Sequence, residues 1–322
     1  MKRNRRRSQV NQAIAVSVLL LAALFLLPLA VVTPFRSSLF GREEPVDETE
    51  PEAPPSPLPG GGLDAARPLR VLDGETVLET DLGAYLVGVV RAEMPASFES
   101  EALKAQAVAA RTYTLYKLQT GGNHGEAADV CTDHTCCQAY LDENSARANW
   151  GENADAYEAK VEAAVRDTDG EAILYGGVPI LAVFHSSSAG LTRAAGEVWV
   201  NDLPYLQAVR SPEPGDRIPN YYSRVEFTAD ELKARLQAAF PEADLSGGME
   251  GWLKDAVTDS AGSVAALSVG GAAAKGIQVR AALGLRSACF TWEAQDGKMV
   301  FFVTGYGHGV GLSQYGASAM AA

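Results

Sequence analysis

LGAYLVGVVRAEMPASFESEALKAQAVAARTY, residues Leu82–Tyr113, is the stretch whose reading decides the fold. A single carboxylate, Glu93, ends an apolar segment and stands just before Met94-Pro95. Asp81 is placed to cap a short helix running through Ala92. Pro95 disfavours helix at Met94, so the chain turns there. Glu93 then sits at a helix C-terminus, where the negative end of the dipole disfavours a carboxylate charge. Held among Val89, Val90, Met94 and Pro95, it also loses hydration. Both effects raise its pKa towards what a general acid needs. The plain alternative is a carboxylate that caps or solvates a helix end. An alanine-rich helix follows from about Ser100 to Leu118. Its Ala102, Ala105, Ala107, Ala109 and Ala110 let neighbours pack closely. Lys104, Gln106 and Arg111 are either surface residues of this helix or the lining of a groove.

Outward from this stretch, local signals alternate between the two kinds of secondary structure. Leu69–Val77 reads as a hairpin around Asp73-Gly74. Ala172–Tyr175 and Val178–His185 pair over Gly176-Gly177. Thr228 and Glu231 form a capping-box signal for a helix to about Phe240. Ile277–Leu283 reads as helical. Strands are expected near Ser263–Val269, Ser287–Glu293 and Lys298–Val303, the last two flanking Asp296-Gly297. No internal repeat is visible. The expectation is an α+β fold of mixed helices and antiparallel strands, in one large or two abutting domains, with a groove near Glu93.

The 322 residues carry a formal net charge of −13. Lys2, Arg3, Arg5, Arg6 and Arg7 supply five positive charges, and setting those aside leaves the rest of the chain at −18. So acidic a body argues against a nucleic-acid partner, because phosphate binding rests on Lys and Arg. A neutral glycan is not excluded. Residues 1–12 form a basic tail. Residues 13–34 are almost wholly apolar and uncharged, long enough to span a bilayer. Basic residues before the span predict a cytoplasmic N-terminus and an extracytoplasmic body; a cleaved signal peptide is the competing reading. Residues 35–66 read as an acidic, proline-rich linker. Its central part, Gly41–Gly62, holds six acidic residues and six prolines, and cannot bury enough apolar area to fold. The folded domain is expected over residues 67–322.

Three further clusters carry chemistry. Cys131, Cys136 and Cys137 lie within seven residues, with His134 among them and His124 seven residues before Cys131. A zinc site and a disulfide both fit this density, although adjacent cysteines rarely bridge each other. The segment Phe184-His185-Ser186-Ser187-Ser188-Ala189-Gly190 ends a predicted strand. It lacks the G-x-S-x-G elbow of a serine nucleophile. His185, Ser187 and Ser188 read as hydrogen-bonding groups for sugar hydroxyls, or else as a polar turn. Gly305–Gly316, GYGHGVGLSQYG, alternates glycine in a way that permits close backbone approach. His308, Ser313 and Gln314 are its candidate contact residues. It has no P-loop spacing.

Four segments, EMPASFESEALKAQAVAARTY (Glu93–Tyr113), VCTDHTCCQAY (Val130–Tyr140), VFHSSSAGLTRAAGEVW (Val183–Trp199) and GYGHGVGLSQYGASAM (Gly305–Met320), resemble in order the stage II sporulation protein D family. These are membrane-anchored lytic transglycosylases of spore-forming bacteria. The amidase-enhancer proteins share the domain. The resemblance runs roughly from Arg67 to the C-terminus and implies peptidoglycan glycan strands, preferably peptide-stripped, as substrate during engulfment. It implies Glu93 as the single acid/base, and Lys104, Gln106, Arg111, His185, Ser187, Ser188, His308, Ser313 and Gln314 as substrate contacts. It also implies a structural zinc on His124, Cys131, Cys136 and Cys137. Cys136 replaces a histidine expected in the family, and His134 is the rival fourth ligand. The implied setting is the sporulation septum, with a membrane-anchored cell-wall amidase (stage II sporulation protein P) as partner. Family members run on past the position of Ala322, so the last helix is expected to be short. The alternatives are a non-catalytic glycan-binding module that recruits an amidase, and a zinc hydrolase, which needs an open metal position.

Overall fold

The computed structural model describes residues 62–121 and 124–322. The expected basic tail, the membrane anchor and most of the expected linker lie outside the described residues. Among the described residues, no helix is long and apolar enough to cross a membrane.

Strands β1 (Pro68–Asp73) and β2 (Thr76–Asp81) form an antiparallel hairpin. The two-residue loop opens with Gly74 at φ 59°, the left-handed conformation such turns need. Helix α1 (Leu82–Glu93) starts where expected, with the Asp81 carboxylate accepting from the Ala84 N–H at 2.9 Å. Helix α2 (Ser100–Thr120) follows the Met94-Pro95 turn. Strand β3 (Val130–Cys131) adds to β1 in parallel. Helices α3 (Glu143–Trp150) and α4 (Ala154–Arg166), which the sequence reading did not anticipate, close the first core. That core joins Leu69, Leu86, Val89, Leu103, Ala107, Val161 and Ala317, the last from the C-terminal end of the chain.

Two expectations change here. Residues 62–66 belong to the folded body rather than to the linker: Asp64 is buried, and the Leu63 and Asp64 N–H groups both donate to the Asp169 carboxylate. Arg111, expected at the surface or in a groove, is wholly buried. It pairs with Asp64 at 2.7 Å and donates to the carbonyls of Val165 and Glu171. A buried guanidinium is tolerable only with this degree of pairing.

Strands β4 (Leu174–Tyr175) and β5 (Val178–Pro179) make the expected hairpin over Gly176-Gly177, though only two residues long. After β6 (Phe184–His185) and the short α5 (Ala195–Val198), the second core begins. Strand β7 (Tyr222–Thr228) leads into α6 (Ala229–Ala239) through the predicted Thr228/Glu231 capping box. Strands β8 (Leu253–Thr258), β9 (Val264–Val269) and β10 (Ala272–Lys275) form one antiparallel sheet, followed by α7 (Gly276–Leu283). Strands β11 (Phe290–Gln295) and β12 (Lys298–Thr304), turning at Asp296-Gly297, form another with β7. Phe227, Leu232, Leu267, Val279 and Phe301 hold these layers together.

The chain then returns to the first core. Strand β13 (Leu312–Ser313) pairs in parallel with β6, and α8 (Gln314–Ala321) packs on α2. The fold is α+β as expected, with antiparallel sheets except for these two short parallel pairings. The return sets the second half of the chain against the C-terminus of α1.

Candidate functional site

A groove of about 570 Å³ opens at the end of α1, and Glu93 lines it. Val89, Val90 and Met94 around the carboxylate are buried, whereas Pro95 is exposed and contributes little shielding. The Ala139 N–H donates to Glu93 Oε1 at 2.8 Å. That contact depends on close crossing of residues 138–141 over α1. A Cβ on Gly88 would stand 2.1 Å from the Tyr140 ring, and the Leu141 N–H donates to the Gly88 carbonyl at 3.0 Å. Burial raises the Glu93 pKa above the ordinary carboxylate value. The Ala139 hydrogen bond and the proximity of His134 work in the other direction, but burial dominates.

The facing wall is made where two glycine- and serine-rich segments interlock. Ser187 and Tyr306 exchange backbone hydrogen bonds at 3.0 and 2.8 Å, the Arg193 N–H donates to Gly309 O, and the Leu312 N–H donates to Val183 O. The alternating glycines permit this. Gly305, Gly307, Gly309 and Gly311 all have positive φ, and a Cβ on Gly311 would stand 2.1 Å from the Val183 carbonyl. The close approach that the glycines allow here is to neighbouring protein atoms, backbone at Gly305 and Gly311 and side chains at Gly307 and Gly309.

This interlock sets two histidines side by side in the groove, their ring centroids 5.6 Å apart. His185 Nδ1 lies 3.1 Å from the Val310 carbonyl, so Nδ1 carries the proton and Nε2 has a lone pair. That Nε2 is buried and has no hydrogen-bond partner among the described residues. His308 Nδ1 accepts from the Val310 N–H at 3.1 Å. Burial pulls the His185 pKa down to about 3, and the neighbouring His308 adds to this. Burial, then Arg280, pulls His308 down to about 4. Both rings are neutral at neutral pH, suited to hydrogen bonding rather than to acid catalysis. Trp199 lies against His308 at 5.5 Å and, with Tyr113 and Tyr306, lines the groove with aromatic surface.

Among the sequence-predicted contacts, His185, His308 and Gln314 share the groove with Glu93. The others stand elsewhere. Gln106 is wholly buried behind the groove, its Oε1 accepting from Gln314 Nε2 at 3.3 Å. Lys104 lines a separate hollow and pairs with Glu101 at 3.0 Å and Asp167 at 3.7 Å. Arg111 is enclosed with Asp64. Ser187 and Ser188 are buried behind the 305–309 loop, and Ser186 lines the groove instead. The hydroxyls of Ser188 and Ser313 both donate to Glu213 Oε1, at 2.6 and 2.7 Å. Ser211 donates to the same oxygen at 3.0 Å. Glu213, Trp199, Arg280 and Tyr306 were not singled out from the sequence. Trp199 closes a quoted motif, and its large aromatic ring at that position was a usable signal.

The cysteine cluster lies next to the groove. The ligand atoms of His124, Cys131, Cys136 and Cys137 all lie within 4.8 Å of one another. His124 Nε2 is 3.5 Å from Cys136 Sγ and 3.6 Å from Cys137 Sγ, and those sulfurs are 4.0 Å apart. Tetrahedral zinc, with bonds of about 2.0 Å to nitrogen and about 2.3 Å to sulfur, would separate its ligands by similar distances. No disulfide joins any of the cysteines. His134 is outside the cluster, exposed at the groove. The four groups can hold a metal ion. They bracket the segment that leads to Ala139, the Glu93 hydrogen-bond donor.

Comparison with known proteins identifies relatives of this chain. The family model for the Stage II sporulation protein matches residues 73–175, which include Glu93 and the cysteine cluster. Stage II sporulation protein D of Bacillus subtilis (strain 168) is 33% identical over 316 residues, 96% of this chain and 89% of the relative. Its namesake in Bacillus amyloliquefaciens is 33% identical over 255 residues, 79% and 72% of the two chains. The amidase enhancer of Bacillus subtilis (strain 168) is 29% identical over 286 residues, 73% of this chain and 37% of that protein. On the extent of the first match, which runs through both cores and the groove between them, the chain belongs to the stage II sporulation protein D family.

Proposed function

We propose that the protein is a lytic transglycosylase that cleaves peptidoglycan glycan strands, with Glu93 as the sole acid/base. The observation that carries this reading is the composition of the groove. Among the described residues, Glu93 is the only carboxylate that lines it. Ordinary glycosidases need two carboxylates, one of them to activate water or attack the sugar. One suffices when the nucleophile belongs to the substrate. The protonated Glu93 gives its proton to the glycosidic oxygen as the C1–O bond breaks. The C6 hydroxyl oxygen of the same muramic acid ring attacks C1, and its proton passes to the Glu93 carboxylate. A 1,6-anhydro ring forms and the acid is restored, with no water consumed. The raised pKa keeps the proton available for the first step. Trp199 offers a flat apolar face to a pyranose ring.

The metal site supports this in a structural role. Zinc on His124, Cys131, Cys136 and Cys137 would have four protein ligands, which leaves no place for a reactive water. It would tie the end of α2 to the segment behind Glu93. Residues 13–34 would anchor the protein in the cell membrane, N-terminus in the cytoplasm and the body outside, where a membrane-anchored amidase such as stage II sporulation protein P would supply stripped strands.

A second reading has its own support: the amidase-enhancer relative favours a glycan-binding module that stimulates an amidase. Turnover of peptide-free strands by the full-length, detergent-solubilised protein and its Glu93→Gln variant separates the two. The transglycosylase reading expects the variant to lose about 10²–10⁴-fold in kcat. Strand binding without cleavage by the native protein, together with faster amidase turnover, would favour the module.

A further inference from the structure

Arg280 is the one arginine or lysine among the described residues that line the groove. It projects from α7, whose Val279 and Leu283 are buried in the second core. Ile277, one turn earlier on the same helical face, packs with the cluster that includes Val198 and Trp199. The direction of the side chain is therefore set by packing on both sides. Its Nε donates to the Leu285 carbonyl at 3.2 Å. The two terminal nitrogens have no hydrogen-bond partner, and Arg280 forms no ion pair, among the described residues. Neighbouring cations are already engaged. Arg193 pairs with Asp259 at 2.6 Å, and Arg286 lies over the Tyr306 ring at 5.0 Å.

A half-buried, unpaired guanidinium is costly to keep, and the cost is removed by an anion. Among the described residues, none supplies one. Glu93 lines the same groove, yet Arg280 is not among the groups that shift its pKa. The planar fork of terminal nitrogens matches a carboxylate in two-point fashion.

We infer that Arg280 is a specificity-determining residue that binds a carboxylate carried by the saccharide, namely the free lactyl carboxylate of a muramic acid ring. The inference rests on the glycan reading above and deepens it. A muramic acid with a stem peptide has an amide in place of that carboxylate, so Arg280 would read whether the strand has been stripped. The carboxylate stays unprotonated and no bond is made or broken at it.

The test is strand binding, which does not require cleavage. Fluorescently labelled peptide-free strands are offered to the full-length, detergent-solubilised protein, either untreated or with their carboxylates converted to methylamides. The native protein should bind the untreated strand at least about tenfold more tightly, the difference expected of a charge-assisted pair. Arg280→Met should lose most of this preference, binding both strands as the native protein binds the amide form. Arg280→Lys, which keeps the charge but not the fork, should retain part of it. Equal affinity of the native protein for the two strands would overturn the role of Arg280 and leave the glycan reading intact. A preference that survives unchanged in a folded Arg280→Met protein would do the same. Failure to bind either strand would overturn both.

Discussion

His185 and His308 bracket a single peptide unit: one donates to the Val310 carbonyl, the other accepts from the Val310 N–H. This arrangement fixes both tautomers and leaves His185 Nε2 as a buried acceptor with no partner among the described residues. The cost shows as a dependence of stability on pH. In the folded protein the two pKa values lie near 3 and near 4, while an unfolded histidine titrates near about 6.5. Below that pH the unfolded chain takes up protons that the folded chain does not. Stability is therefore flat above about pH 6.5 and falls as the pH drops towards the folded values. The slope is at most about 1.4 kcal/mol per pH unit for each ring. Denaturant midpoints between pH 7 and pH 5 should fall in the native protein and fall less steeply in His185→Gln. Parallel slopes in the two proteins would show that the ring is not held neutral by its site. Glu93 presents the opposite case: its raised pKa favours the protonated acid, at the expense of stability once the pH exceeds the unfolded carboxyl value.

At the scale of elements, the segment between α2 and α3 decides how well Glu93 is presented. It carries Cys131, Cys136 and Cys137, and two residues past Cys137 the Ala139 N–H meets the carboxylate. Full-length protein purified without chelator should hold about one zinc per chain. Stripping it should lower the melting temperature, by roughly 2–4 °C for each kcal/mol lost. Unchanged melting after verified metal loss would remove zinc from the account. The elements that were legible in the sequence are those specified within a few residues. The Asp81 cap, the Thr228/Glu231 box and the Asp296-Gly297 turn each act through contacts made inside one turn of chain. Strands β7 and β8 are not legible in the sequence because much of each is exposed, so no apolar alternation marks them. The burial of Arg111 is not legible in the sequence for another reason. Its partner Asp64 lies 47 residues away, in a stretch whose composition reads as linker. The candidate site divides in the same way. Glu93, His185, His308 and Gln314 stand in motifs, as does Tyr306, whereas Arg280 reaches the groove only through tertiary packing.

The whole molecule places an acid from the first core opposite histidines and an arginine presented by the second half of the chain. The return of β13 to β6 and of α8 to α2 holds the two sides in register. Neither half alone makes the groove. Among the described residues, the groove of this acidic chain holds one guanidinium without an ion pair and one carboxylate. The central claim is that this single carboxylate works with a nucleophile that belongs to the sugar itself. It is tested most directly by digesting peptide-free strands with the full-length protein in water enriched in oxygen-18 and weighing the new ends. The account predicts 1,6-anhydro ends that carry no heavy oxygen, because the C6 hydroxyl closes the ring and no water enters. New reducing ends containing one heavy oxygen each would mean that water is the nucleophile, and would contradict it.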